Sequence, residues 1–205
     1  MKKLAFLASG NGTNLQAVID AVESGILQAE ISIVISDRVN AYALTRARNH
    51  GINAVEFPRT AKNRGTYFDT IAKLIEDSSA DLIVLGGFMK ILPDEFIRKF
   101  ENMIINIHPS LLPCFGGKGF YGSKVHEAVL ESGARISGCT VHFTSAEVDG
   151  GPILEQRTVQ VADDDTPESL ADRIHPVEHE ALVYSVGLVL DGNYEIKGKR
   201  VIRKS

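Results

Sequence analysis

An amide and an imidazole lie two residues apart at the end of a predicted buried strand. In "INIHPSLLP", residues 105–113, Asn106 and His108 are separated by one residue, so on a strand their side chains point to the same face. An amide N–H can stabilise a developing oxyanion while an imidazole transfers a proton near neutral pH. The pattern indicates either a catalytic pair or a hydrogen-bonded strand end, and the residues alone leave both open.

A histidine with this role needs an orienting or charged partner. The later loop "EVDGG" offers Glu147 and Asp149, and we favour Asp149 because the glycines after it allow the loop to fold back. Ser110 is a weak candidate nucleophile. It follows His108 too closely for a mutual hydrogen bond, and the chain has no nucleophile-elbow motif.

A second candidate site is the glycine-rich loop "SGNGTNL", which follows the first predicted strand and opens the first predicted helix. Unpaired N–H groups at a helix N-terminus bind anions, and glycine allows a phosphate to approach the backbone closely. The third glycine of a dinucleotide fingerprint is replaced by Leu15, so a single phosphate fits better than NAD. Asp37, after the second strand, is a candidate ribose ligand, although a lone carboxylate there is more often a turn residue. An ordinary strand-to-helix turn is the alternative for the loop itself.

The elements that would position these residues alternate along the first half of the chain. Strand-like apolar runs ("KLAFLAS", "ISIVIS", "NAVEF", "DLIVLGGF", "MIINI") are separated by segments with apolar residues at helical spacing. This alternation predicts an α/β fold with a doubly wound, mostly parallel sheet, and such sheets bind ligands at the carboxyl ends of their strands.

The second half has a different pattern. "ISGCTVHF" and "PILEQRTVQVA" predict long strands joined by a turn-rich loop, which indicates an antiparallel extension of the sheet. A helix of about five turns should begin at Thr166, with Pro167 in its first position. Its apolar face is predicted to hold Leu170, Ile174, Val177, Ala181 and Tyr184. The last residues, "YEIKGKRVIRKS", suggest a short strand or a tail.

Composition limits the class of protein. A chain of 205 residues, 44% of them hydrophobic, is long enough for one domain, which we divide into halves 1–105 and 106–205. The net charge of -4 and the dispersed basic residues argue against a nucleic-acid partner. Cys114 and Cys139 lack C-x-x-C spacing and indicate free thiols, and no apolar run reaches the ~20 residues of a membrane span. We therefore expect a cytoplasmic protein.

The remaining histidines carry weaker signals. His175 and His179 are four residues apart, a spacing seen among metal ligands, but no third ligand cluster accompanies them, and we expect no metal. His50 is expected at a helix C-terminus and His126 on a helix surface.

Five segments together resemble the folate-dependent formyltransferases: "SGNGTNLQA", "GGFMKIL", "NIHPSLLP", "TVHF" and "DGGPI". The resemblance is greatest to members that act on glycinamide ribonucleotide in purine biosynthesis. It implies a Rossmann-like fold, 10-formyltetrahydrofolate as formyl donor, and direct attack by the acceptor amine without a metal. The chain length leads us to expect neither the additional C-terminal domain nor the additional N-terminal domain of other family members. Formyltetrahydrofolate hydrolysis, or transfer to another amine, remains the alternative within the family.

The resemblance also assigns roles to individual residues. It gives the catalytic roles to Asn106, His108 and Asp149. It assigns the ribonucleotide to Gly12, Thr13, Asn14 and Glu178, and the folate to Arg64 in the preceding helix and to Met89, Lys90, Ile91, Leu92 and Asn106. Without it, Met89, Ile91 and Leu92 would be assigned to the core and Glu178 to a solvated helix face.

Other features near the site stay open. The resemblance places Thr140 and His142 close to the catalytic residues, where either support of those residues or simple packing would explain them. It also implies a cis peptide at Leu112-Pro113. The glycine-rich segment 115–122 is expected to be mobile.

Two functions from other classes are also compatible with the glycine-rich loop. A nicotinamide-dependent oxidoreductase would use it to bind pyrophosphate, and a catalytically silent nucleotide-binding module would use it for regulation. The sequence allows either a monomer or a homodimer.

Overall fold

A computed structural model describes residues 1–204 and shows a mixed α/β fold. Its nine strands belong to a mixed sheet that is parallel in the N-terminal part and contains antiparallel pairs in the C-terminal part. The predicted fold class is therefore confirmed. In chain order the elements are β1 (Lys2–Leu7), α1 (Thr13–Glu23), β2 (Ala29–Ser36), α2 (Tyr42–Asn49), β3 (Ala54–Glu56), α3 (Tyr67–Asp77), β4 (Leu82–Leu85), α4 (Asp94–Lys99), β5 (Ile104–His108), α5 (Ser123–Glu131), β6 (Ile136–Phe143), β7 (Ile153–Gln160), α6 (Pro167–Asp191), β8 (Tyr194–Lys197) and β9 (Arg200–Arg203).

The chain forms two compact units, with the boundary between Ile105 and Asn106 inside β5. In the first unit the strand order is β3-β2-β1-β4, and all three pairings are parallel. One face of these strands packs against α3 and α4 through a buried apolar cluster that includes Leu7, Ile35, Ile71 and Phe96. The parallel arrangement brings the carboxyl ends of β1, β2 and β4 to one edge, as expected for a ligand-binding edge.

The second unit contains the antiparallel part of the sheet. β6 and β7 pair along most of their length, with a bulge between Val141 and His142. β8 and β9 form an antiparallel hairpin, and β9 pairs in parallel with β7 at Ile153 and Arg200. The C-terminal segment was expected to be a short strand or a tail. Its residues 194–203 form a two-stranded hairpin, and Ser205 lies outside the described residues.

Helix α6 begins as predicted but extends further. The Thr166 hydroxyl accepts a hydrogen bond from the Ser169 N–H, and the Ser169 hydroxyl accepts one from the Thr166 N–H, which completes a capping box. The helix has 25 residues, or about seven turns, and is longer than the five turns predicted. Its predicted apolar face is wrong at Tyr184, which is 41% exposed and stacks against the Arg203 guanidinium.

Helix α5 differs from expectation at His126. The side chain was expected on the helix surface, but it is 4% exposed. Burial lowers the pKa of His126, and the nearby His175 and His108 charges lower it further.

Within residues 1–204, no helix combines the length and apolar character needed to cross a membrane.

Candidate active site

Asn106 and His108 lie at the carboxyl end of β5, as their spacing predicted. His108 is 4% exposed. Its Nε2 lies 2.8 Å from the Phe115 carbonyl oxygen, and its Nδ1 lies 3.6 Å from Oδ2 of Asp149. Each ring nitrogen therefore faces an oxygen that can accept a hydrogen bond. This arrangement suits an imidazolium, because both of its ring nitrogens are donors.

Asp149 reaches His108 because its loop turns back sharply. The residue itself has a left-handed backbone with φ of 58°, a conformation that aspartate tolerates better than most residues. A Cβ atom at Gly151 would lie 1.9 Å from the Phe143 carbonyl oxygen, so glycine is required there. The Phe143 N–H donates to the Pro152 carbonyl at 2.8 Å and closes the turn. Glu147, the other candidate in this loop, is exposed and pairs instead with Lys199 at 3.1 Å.

His142 is a second imidazole in contact with the same carboxylate. Its Nε2 lies 3.6 Å from Oδ1 of Asp149 and 3.2 Å from the amide nitrogen of Asn106. Its Nδ1 lies 2.8 Å from the Phe143 carbonyl oxygen, which can only accept. The Phe143 carbonyl therefore requires a proton on Nδ1. In the neutral ring Nε2 accepts one N–H of Asn106 and leaves the second amide N–H for another acceptor, and in the protonated ring Nε2 donates toward Asp149.

The three ionisable side chains are shielded from water: the side chain alone is 5% exposed in His108, 2% in His142 and 11% in Asp149. Burial lowers the pKa of His108, and the Asp149 charge and the hydrogen bond to Phe115 offset only part of that effect. Burial works to raise the pKa of Asp149, but His142, the His108 charge and the Gly117 N–H outweigh it, so the pKa lies below its usual value. The site therefore pairs a carboxylate with a His108 that resists protonation.

Thr140 connects β6 to the turn that follows His108. Its hydroxyl donates to the Ser110 carbonyl at 2.7 Å and accepts from the Leu112 N–H and from Gln156 Nε2, both at 3.0 Å. Gln156 Nε2 also donates to the Leu112 carbonyl at 3.0 Å. Thr140 thus supports the turn after His108, which contains the expected cis Leu112-Pro113 peptide. The Ser110 hydroxyl is fully buried and donates to the Cys114 carbonyl at 2.7 Å, an arrangement unsuited to a nucleophile.

The glycine-rich loop lies in the first unit, at the N-terminus of α1. Gly12 is the N-cap residue with φ of 74°, and no side chain caps the helix. A Cβ at Gly12 would lie 2.7 Å from Cβ of Ala43, so glycine is needed for this close approach. Arg46 Nε holds the loop by donating to the Asn11 carbonyl at 2.9 Å. The N-terminal N–H groups of α1 are therefore available to an anion.

The segment predicted to bind folate, residues 89–92, follows β4 in the same unit. Met89 and Ile91 are 41% and 60% exposed, whereas Leu92 is 7% exposed. The alternative assignment to the core is therefore wrong for Met89 and Ile91 and right for Leu92. Arg64 is exposed, but it lies in the turn before α3 rather than in a helix.

Several other expectations can be compared with the structure. Glu178 is 5% exposed, so its assignment to a solvated helix face is wrong, and burial raises its pKa to about 7. Asp37 lies in the bend that follows β2, as expected for a turn residue, but it is buried and accepts a hydrogen bond from Ser9. Cys114 and Cys139 are free thiols. In the part of the chain described, 1–204, no group of three or more His, Cys, Asp or Glu residues could hold a metal ion.

Comparison with known proteins identifies the family. The family model described as formyl transferase matches residues 2–186. The chain belongs to the formyl transferase family. It is 42% identical to the chloroplastic phosphoribosylglycinamide formyltransferase of Vigna unguiculata over 89% of this chain and 59% of that protein. It is 39% identical to the phosphoribosylglycinamide formyltransferase of Haemophilus influenzae, over 96% and 91% of the two chains.

Solved structures of formyl transferases agree with this assignment. Glycinamide ribonucleotide transformylase 1 from Symbiobacterium toebii superposes with a TM-score of 0.94 at 38% identity, covering 100% of this chain and 95% of that one. Formyltetrahydrofolate deformylases also match in structure, but at 27% identity. The chain spans only 59% of the length of the Vigna relative.

Sequence reasoning missed three backbone groups around the candidate catalytic residues of this formyl transferase. The Phe115 carbonyl accepts from His108, the Gly117 N–H donates to Asp149 at 2.8 Å, and the Phe143 carbonyl orients His142. Main-chain N–H and C=O groups are common to nearly all residue types, so the sequence does not show which of them line a site. The only indication was the cluster of glycines in segment 115–122, which allows a loop to approach other residues closely.

Replacing Asp149 with Asn should lower the pKa of His108 further. The Asp149 charge raises that pKa against the effect of burial, and the substitution removes the charge while keeping the shape. The measurement is an NMR titration of His108 in the unliganded protein. Glu147→Gln in the same loop is the matched control, because Glu147 is exposed and pairs with Lys199. An unchanged His108 pKa in Asp149→Asn, or an equal change in the control, would contradict this assignment.

Proposed function

We propose that the protein transfers the formyl group of 10-formyltetrahydrofolate to the amine of 5'-phosphoribosylglycinamide, a step of purine biosynthesis. The observation that carries the proposal is the convergence of Asn106, His108 and Asp149 in a site shielded from water. The family and the names of the relatives support the same reaction.

The chemistry follows from the donors in the second unit. The amine nitrogen attacks the formyl carbon and forms a new C–N bond, and the carbonyl oxygen becomes an oxyanion. The free N–H of Asn106 and a protonated His108 stabilise that oxyanion, and the Asp149 carboxylate stabilises the imidazolium. The bond from the formyl carbon to the folate nitrogen then breaks, and a proton moves from the attacking amine to the folate nitrogen. No covalent enzyme intermediate is required.

The environment of His108 fits this sequence of events. Burial lowers the pKa of His108 by more than the Asp149 charge and the hydrogen bond from Nε2 to the Phe115 carbonyl raise it, so the neutral ring is favoured before substrate binds. An oxyanion forming beside the ring adds a negative charge and favours the imidazolium. His108 would therefore gain its charge when the reaction develops one, and Nε2 would exchange the Phe115 carbonyl for the oxyanion.

The substrates are assigned to separate elements. The uncapped N-terminus of α1, with Gly12, Thr13 and Asn14, is proposed to bind the ribonucleotide phosphate. Glu178 is proposed as a further ribonucleotide ligand because a buried carboxyl with a pKa raised to about 7 is suited to hydrogen bonding with a substrate polar group. The exposed side chains of Met89 and Ile91 offer apolar surface to the folate, with Lys90, Leu92, Arg64 and Asn106 completing its proposed contacts.

An assay of tetrahydrofolate formation with and without glycinamide ribonucleotide tests this function. A formyltransferase should release the folate product only when the acceptor amine is present, and the formylated ribonucleotide should appear in equal amount. Release of formate at the same rate without the acceptor would show a deformylase instead. Other primary amines serve as controls, and equal rates with them would refute the assignment of the acceptor.

Replacing Gly12 with Ala should raise the ribonucleotide KM at least tenfold and the folate KM much less. The new Cβ would lie 2.7 Å from Ala43, so the loop must shift away from the phosphate position. Gly25→Ala is the matched control. It has φ of 76°, close to the 74° of Gly12, but lies beyond the other end of α1 with Gln28 no nearer than 3.8 Å. Steady-state kinetics should show both KM values nearly unchanged in Gly25→Ala, and equal effects of Gly12→Ala on both substrates would argue against the phosphate site.

A further inference from the structure

The mechanism above gives no role to Asp37, although its side chain has no exposure to solvent. A buried carboxylate is costly unless it is paired and hydrogen-bonded. Asp37 follows β2 in the first unit, and its neighbours come from two other connections at the same edge of the sheet. One of them, Ser9, lies at the end of β1, and the other, Lys90, follows β4.

The contacts form a directed chain of hydrogen bonds. The Met89 N–H donates to Ser9 Oγ at 2.8 Å, and the Ser9 hydroxyl in turn donates to Oδ1 of Asp37. The carboxylate can only accept, so it directs the single Ser9 proton toward itself and leaves a lone pair of Oγ for Met89. An ionised acceptor also strengthens the hydrogen bond that it receives. The main chain at Met89 is thus fixed by a carboxylate that it does not touch.

The second carboxylate oxygen faces the adjacent residue of the same segment. Oδ2 of Asp37 has no hydrogen bond of good geometry within residues 1–204, and its neighbour is the Lys90 ammonium at 3.4 Å, an ion-pair distance. Asp37 also acts on Tyr67, which is fully buried. Burial raises the pKa of Tyr67 to about 12, with a further contribution from the Asp37 charge and an opposing one from Arg59. The Lys90 side chain is 36% exposed, whereas the Asp37 side chain that it faces has no exposure to solvent.

We propose that Asp37 is a positioning residue for folate binding: it orients the Ser9 hydroxyl, which fixes the Met89 amide, and it pairs with Lys90. Met89 and Lys90 are the first two residues of the segment 89–92. The inference rests on the proposed function, because that function assigns the segment to the folate. Ser9 is also the first residue of the glycine-rich loop, and its own N–H donates to the Gly87 carbonyl at 3.1 Å. The network therefore joins the start of the loop that is proposed to bind phosphate with the segment that is proposed to bind folate.

The first test is amide hydrogen exchange in the chain of 205 residues without added ligands. Ser9→Ala and Asp37→Ala should each speed exchange of the Met89 amide by about tenfold, the size expected for losing one buried hydrogen bond. The Ile83 amide, which donates to the Met103 carbonyl at 2.7 Å in the same unit, is the internal control and should not change. Asp37→Asn keeps an oxygen that accepts from Ser9, so its Met89 exchange should stay near the wild-type rate.

The second test is binding of a folate analogue, measured by calorimetry, together with steady-state kinetics. Asp37→Ala should weaken analogue binding and raise the folate KM several-fold, with a smaller effect on the ribonucleotide KM. The double variant Ser9→Ala/Asp37→Ala should be little worse than Asp37→Ala alone, because the two residues act in series. Lys99→Gln, which removes an exposed ion pair with Glu76, is the control and should behave as the wild type.

The outcomes separate this inference from the proposed function. Wild-type Met89 exchange in Asp37→Ala, or unchanged analogue binding in that variant, would overturn the inference. Normal analogue binding by the wild type without formyl transfer to the ribonucleotide would overturn the proposed function alone. If Asp37→Ala fails to fold, Ser9→Ala still decides the matter, since unchanged Met89 exchange and unchanged analogue binding in that variant would exclude the hydrogen-bond chain.

Discussion

A carboxylate held between two imidazoles, away from water, is the interaction on which the second unit of this formyl transferase depends. Asp149 lies 3.6 Å from a ring nitrogen of both His108 and His142, and each histidine uses its other nitrogen to contact a main-chain carbonyl. Burial favours neutral imidazoles, whereas the carboxylate favours charged ones. The balance leaves the pKa of His108 below its usual value, so an added negative charge can shift the ring toward the imidazolium.

This arrangement explains why the surrounding loops have their particular sequences. Asp149 needs a left-handed backbone followed by Gly151, because a side chain at Gly151 would overlap the Phe143 carbonyl. The Gly117 N–H must approach Oδ2 of Asp149, and a Cβ atom at Gly116 would lie 2.3 Å from a Leu112 methyl carbon. Close packing in the two loops that hold Asp149 thus accounts for Gly116 and Gly151, which are distant in sequence.

Much of this could be predicted from local pattern. The alternation of apolar runs and helical spacing is strong in the first half, and the Thr166 cap marks the start of α6. The spacing of Asn106 and His108 and the glycines after Asp149 also identified residues that the structure brings together. Prediction was weakest for buried polar groups. Asp37, His126 and Glu178 all resemble surface residues in the sequence, because burial of a polar side chain depends on partners from elsewhere in the chain. The role of Ser9 depends on Asp37, 28 residues away, and on a main-chain N–H, so no local pattern reveals it.

The central claim is that Asn106 and His108 act together on one oxyanion, and a kinetic double-mutant cycle tests it most directly. Turnover is compared among the wild type, Asn106→Ala, His108→Ala and the double variant, with ribonucleotide affinity measured separately by calorimetry. Each single substitution should lower kcat by at least ~10², as expected for losing an oxyanion donor or a positioned acid, and affinity should change little. The double variant should lose much less than the product of the two single effects, because residues that serve one transition state are not independent. Near-normal turnover in Asn106→Ala, or fully multiplicative losses in the double variant, would contradict the account and place the catalytic groups elsewhere.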